Sequence, residues 1–217
     1  MAKRFDTQLA ALQEAVKDPT APKARARVVE ALTRGNGLLV AVAVTAVVRG
    51  DEDDPTVDKE LLAQLPAAFE RLEHDASERD PQCRGKTAIA KALRRADAES
   101  KGAEGVEEVF LAGVRHVQYE PVWGGKVDSA AELRGVCLMA LVEGWHPRAM
   151  VEAAQLLADP LAAARMAAAR ALACSGRVEV AEPLLRLRVA AGESDPEVLG
   201  EFAARRDASR RRTNSCC

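Results

Sequence analysis

The sequence predicts an all-α fold of about eleven helices, and three observations predict it. Apolar residues recur at helical spacing along most of the chain, as at Phe5, Leu9, Leu12 and Val16. Aspartate-proline pairs (Asp18-Pro19, Asp80-Pro81, Asp159-Pro160, Asp195-Pro196) stand where such segments begin. There the carboxylate suits first-turn amides, and proline suits a position that needs no amide hydrogen. Aromatic residues are only 3% of the chain while hydrophobic residues are 48%, so the core must be Ala, Leu and Val, small side chains that let helices approach closely.

In chain order, the first predicted helix covers 5–16 and is stopped by Asp18-Pro19. The second carries Arg25, Val28, Val29, Ala31 and Leu32, runs to Arg34 and is broken by Gly35-Asn36-Gly37. Leu38 to Val48 is apolar on every side. Alone it would suit a buried strand, but its length and its helical neighbours favour a buried helix. After the acidic loop 50–55, Val57, Leu61, Leu62, Leu65, Phe69 and Leu72 trace a helical stripe that Pro66 divides or kinks. Asp80-Pro81 starts a helix ending near Ala96, and a polar loop fills 97–105. Val106, Val109, Phe110, Gly113, Val114 and Val117 give the next helix.

The segment Tyr119 to Val127 cannot be helical throughout, because it holds Pro121 and the pair Gly124-Gly125, and it is read as an irregular loop. Asp128-Ser129 restarts a helix to Val142, and Trp145-His146-Pro147 turns the corner into 148–158. Asp159 to Gly176 carries its own start and stop, with Asp159 as N-cap, Pro160 at the first helical position and Gly176 at the left-handed end. Helices near 179–191 and 196–206 complete the pattern. No strand is expected.

The capped helices repeat one wording. Asp80, Asp128 and Asp159 are followed six residues later by Lys86, Arg134 and Arg165. The pairs Ala92-Leu93, Ala140-Leu141 and Ala171-Leu172 come six and seven residues after those basic residues. Asp18, Arg25 and Ala31-Leu32 fit with one residue inserted. This wording resembles the second helix of HEAT repeats, in particular the short bacterial HEAT-like type, over roughly 18–206. The resemblance implies an α-solenoid of about five irregular helical hairpins as a single domain over 1–206, followed by a basic tail over 207–217. It also implies that Arg25, Lys86, Arg134 and Arg165 form a ladder, each pairing with an acidic residue of a neighbouring repeat. The alternative is a basic row that meets phosphates or an acidic partner. Asp195 departs from the wording, with Glu201 in place of the basic residue, as suits a terminal repeat.

The formal net charge of -2 argues against a generally basic nucleic-acid binder. From Gly50 to Pro81, 11 acidic residues face three basic ones, whereas Arg205, Arg206, Arg210, Arg211 and Arg212 face only Asp207. The N-terminus lacks the apolar region of a secretory signal, and the longest apolar run is too short to cross a bilayer, so a cytoplasmic protein without membrane association is expected. The cysteines at 83, 137, 174, 216 and 217 have no metal-ligand spacing. The terminal Cys216-Cys217 superficially resembles a lipidated tail but lacks any supporting context.

His116, Tyr119, Trp123, Lys126 and Arg134 cluster around the irregular loop and are the candidate binding residues. In a chain with two tryptophans and one tyrosine, Trp123 and Tyr119 together either anchor a partner or plug a gap between helices. No phosphate-binding glycine loop, nucleophile elbow or paired metal spacing is present, so no cofactor, no metal and no catalytic residues are expected. The expected function is a non-enzymatic adaptor or scaffold for a protein partner. The HEAT resemblance also admits DNA-glycosylase-type or lyase-type proteins. An iron hydroxylase would need His-Glu pairs, but His74, His116 and His146 precede Asp75, Val117 and Pro147.

Overall fold

The computed structural model describes residues 2–51, 55–96 and 103–200. Among them are twelve α-helices and two small antiparallel hairpins. The chain divides into two compact units, Met1–Leu133 and Arg134–Cys217. The C-terminal half of the last expected helix, the basic tail, Cys216-Cys217 and most of the loop 97–105 lie outside the described residues.

The first unit is centred on α3 (Gly37–Val44), which packs on α1 (Ala2–Ala15), α2 (Pro22–Arg34) and α7 (Arg84–Ala96). Its sequence GLLVAVAV has no polar face, so it suits only the interior. Asn36 caps it by accepting from the Leu39 amide at 3.1 Å. Glycine lets α3 and α7 approach closely. A Cβ on Gly85 would lie 2.8 Å from the Gly37 Cα, and one on Gly37 would lie 1.8 Å from Asp80 Oδ1. α4 (Lys59–Leu62) is capped by Asp58, and α5 (Leu65–Glu73) has Pro66 in its first turn, so the proline separates two helices. A short α6 (Ala76–Arg79), unforeseen in the sequence, precedes α7, and α8 (Val106–Arg115) packs on α5 and α7.

The expectation of no strand is corrected twice. The apolar run 38–48 is helical only to Val44; after a turn, β1 (Val48–Gly50) pairs with β2 (Pro55–Val57). The Thr45 hydroxyl donates to Val42 O at 2.7 Å at the helix end, and Asp58 N–H donates to Val47 O at 2.9 Å, anchoring the hairpin base. The second hairpin, β3 (Tyr119–Val122) with β4 (Gly125–Asp128), replaces the expected irregular loop.

In the second unit, α9 (Ala131–Glu143) contributes its residues from Arg134 onward. α10 (Ala149–Leu156), α11 (Ala162–Cys174) and α12 (Val178–Ala190) pack pairwise. Small residues again set the spacing, since a Cβ on Gly135 would come within 2.7 Å of the Ala167 Cβ. Gly176 sits at φ 68 beyond α11 as expected. Residues 196–200 begin another helix, with Asp195 Oδ1 accepting from the Glu197 and Val198 amides.

Asp195 thus caps its helix as expected, whereas Asp18, Asp128 and Asp159 act about one turn earlier than expected. α11 starts at Ala162, and Asp159 Oδ1 accepts from Leu161 N at 2.8 Å, so Pro160 lies in the preceding turn rather than at the first helical position. Asp18 likewise accepts from Thr20 N, and Asp128 from Ala130 N at 2.9 Å. Asp80 is the exception in reach: across the 3-10 turn Pro81–Cys83 it accepts from Gly85 N at 2.7 Å and Lys86 N at 3.0 Å, capping α7 directly.

Candidate functional site

The β3–β4 hairpin forms because Trp123-Gly124 makes a two-residue turn, with Gly124 at φ 91, where a side chain is strained. Cross-strand partners share a face, so Tyr119, Pro121, Lys126 and Asp128 lie on one side and Glu120, Val122 and Val127 on the other. Residues 121–127 are all exposed, and Trp123 is 105% exposed, as open as an isolated residue. Tyr119 is 61% exposed, Val122 48% and Val127 51%. Pro121 has no amide to offer a new strand and Lys126 charges the other edge, two devices that discourage indiscriminate strand pairing.

Trp145, the second tryptophan, is also exposed, with the Arg177 guanidinium 5.7 Å from its ring centroid. The only tyrosine and both tryptophans are therefore displayed, while Phe69 and Phe110 are buried. Trp123 does not plug a gap between helices.

At the hairpin base a buried polar cluster leaves no donor idle. Lys86, fully buried, donates to Gln118 Oε1 at 2.9 Å and to Leu72 O at 3.2 Å, with Asp80 Oδ2 at 3.4 Å. Gln118 donates its two amide hydrogens to Asp80 O at 2.9 Å and Glu120 Oε1 at 2.7 Å. Glu120 Oε1 also accepts from Ser129 Oγ at 2.9 Å and from Gln82 N. Partial burial works against the Glu120 charge, but the bonds from Gln82, Gln118 and Ser129 outweigh it and hold its carboxyl below the ordinary value. Gln82 and Cys83 both sit at positive φ, 61 and 52, each costing ~1 kcal/mol or more for a residue with a side chain. The bond from Gln82 N to Glu120 helps to hold that strained turn.

His116 belongs to this cluster rather than to the displayed surface. Its Nε2 lies 3.2 Å from Gln118 Oε1, and its Nδ1 lies 3.9 Å from Glu73 Oε1. The Gln118 amide nitrogen is committed to two acceptors, so His116 Nε2 must be the protonated nitrogen. Burial, then the nearby Lys86 charge, lowers its pKa. Burial raises the carboxyl of Glu73 and pushes the Cys83 thiol up to about 11, leaving it a poor nucleophile at neutral pH.

The predicted cluster is thus divided. Tyr119, Trp123 and Lys126 share the hairpin, and His116 lies among the polar groups at its base. Arg134 is corrected as a binding residue: it is 2% exposed and ion-paired in the second unit, with Nε 3.0 Å from Asp159 Oδ2. The other repeated cations are also engaged. Arg25 binds Asp58 at 2.6 and 3.2 Å and Glu60 at 2.7 Å. Arg165 binds Glu193 at 2.6 and 2.9 Å. Arg25, Arg134 and Arg165 each reach an acidic residue beyond their own helix, whereas Lys86 turns to its own cap, Asp80. Gln118, Glu120 and Ser129 were missed in the sequence, since isolated polar residues next to a presumed loop carry no periodic signal. Among the described residues, no group of three His, Cys, Asp or Glu side chains is placed to hold a metal, and no helix is long and apolar enough to cross a membrane. No protein-family model, curated protein or solved structure matches the chain.

Proposed function

We propose that this chain is a non-enzymatic, cytoplasmic adaptor of the HEAT-like helical-repeat type, which docks a protein partner through the β3–β4 hairpin. The observation that carries this reading is the full exposure of Trp123 at the tip of a hairpin anchored at its base, with Tyr119 and Lys126 on the same element. A chain so poor in aromatics has no structural reason to place its amphipathic rings in water, and such rings dominate recognition hot spots. The repeat-type reading draws support from the recurring Asp wording and from the pairs Arg25–Asp58, Arg134–Asp159 and Arg165–Glu193.

A DNA-binding or glycosylase-type protein is the second reading, and it finds less support because Lys86, Arg134 and Arg165 are buried and paired, out of reach of phosphates. The lyase-type reading rests on fold likeness alone. The test is affinity capture with wild type, Trp123→Ala and Tyr119→Ala, each checked for an unchanged melting transition. Loss of the captured partner in folded variants supports docking. Equal capture by all three contradicts it, and a salt-dependent shift of duplex DNA favours the second reading.

A further inference from the structure

We infer that Glu120 is the positioning residue of the hairpin: its Oε1 gathers hydrogen bonds from Gln82, Gln118 and Ser129 and so fixes the angle at which Tyr119 and Trp123 are presented. This rests on the reading of the hairpin as the docking element. A two-stranded hairpin is marginal alone, and residues 121–127 are exposed, so the order of this one must be imposed from its base. Three contacts are made there. Ser129 N donates to Gln118 O at 2.9 Å; Asp128 Oδ1 accepts from Gln118 N at 3.2 Å; and Glu120 binds its three donors. The first two close the mouth of the hairpin. Of the three, Glu120 stands furthest along β3 and ties that strand to the turn preceding α7, while at the base Ser129 Oγ lies 3.9 Å from Cys83 Sγ and the Glu120 partner Gln118 is held by Lys86 Nζ and Asp80 O.

One carboxylate oxygen therefore joins the displayed arm to the buried Lys86–Asp80 pair. Its loss leaves every displayed side chain in place but frees the arm to swing. A preorganised arm pays its ordering cost during folding rather than on binding, so a loosened one docks more weakly without losing a contact.

The test uses the whole chain in a Trp145→Phe background, so that Trp123 is the only tryptophan. Time-resolved fluorescence anisotropy reads its mobility, and hydrogen exchange reads the cross-strand amides of β3 and β4. Glu120→Ala is expected to add a large-amplitude fast anisotropy component and to speed hairpin exchange about tenfold, with exchange in α3 and the melting transition little changed. Glu120→Gln keeps an acceptor oxygen and should restore the wild-type behaviour in part. If Glu120→Ala unfolds the first unit, Ser129→Ala, which removes one donor, should give a smaller loosening of the same kind. An anisotropy decay and exchange pattern equal to wild type in folded Glu120→Ala or Ser129→Ala overturns the inference. These readouts need no partner, so a failed capture experiment and a failed positioning experiment are distinguishable.

Discussion

Replacing Lys86 by Met separates the energetic role of the buried cluster from that of ordinary surface ion pairs. Met nearly preserves the length and volume of the side chain, so the loss is electrostatic. Asp80 loses its counter-ion, Gln118 Oε1 keeps only His116, and Leu72 O loses its side-chain donor. Both charged side chains are 0% exposed, and water cannot replace what is removed. Taking one partner from such a pair costs about 3–5 kcal/mol. That is a large part of the total stability of a domain, about 5–15 kcal/mol. At about 2–4 °C per kcal/mol for a chain of this size, the melting temperature should fall by on the order of 10 °C. The control is Lys91→Met. Its pair with Glu132 is shorter, at 2.6 Å, but the side chains are 56% and 65% exposed, so its loss should cost less than about 1 kcal/mol. Urea titrations followed at 222 nm measure both. A Lys86→Met cost no larger than that of Lys91→Met would refute the assignment of the buried cluster as an anchor.

Three further outcomes follow from the geometry. Gly37→Ala should destabilise the chain by about 3 kcal/mol, because its Cβ would meet Asp80 Oδ1, whereas Gly125→Ala, with open space around it, should be nearly neutral in the same titration. Hydrogen bonding by Arg165 holds the Glu193 carboxyl well below its ordinary value, so the stabilisation is complete above the unfolded value near 4.3 and is lost as pH falls through the folded one. Unfolding midpoints should therefore drop below about pH 5 in wild type and less steeply in Glu193→Gln. Mass mapping after brief thiol alkylation should find Cys174 modified and Cys83 and Cys137 protected until unfolding, since burial keeps both thiols protonated.

Much of the helical order was legible because apolar spacing and helix breakers act locally. Pro66 separates two helices, and Gly176 ends α11 with a left-handed residue, as the sequence suggested. The run 38–48 was only partly legible, since an all-apolar segment fits a buried helix or strand equally, and the strand after Val44 pairs with residues 55–57 further along the chain, with Asp58 N–H donating to Val47 O. The β3–β4 hairpin was hidden because its turn is Trp-Gly rather than Asn-Gly and because Pro121 argues against a strand; an edge position tolerates that proline. Of the candidate site, the aromatic display was legible from scarcity. The inward roles of His116 and Arg134 were not, because each is set by partners from another element, Gln118 and Glu73 for one and Asp159 for the other.

The measurement that bears most directly on the proposed docking role of the hairpin is the response to Trp123→Ala of two quantities taken together, the melting temperature and partner capture. A side chain that is 105% exposed contributes little to folding, so the melting temperature should stay within about 2 °C while capture is lost. A Trp123→Ala chain that captures the same partner as wild type, or that melts many degrees lower, would contradict the account.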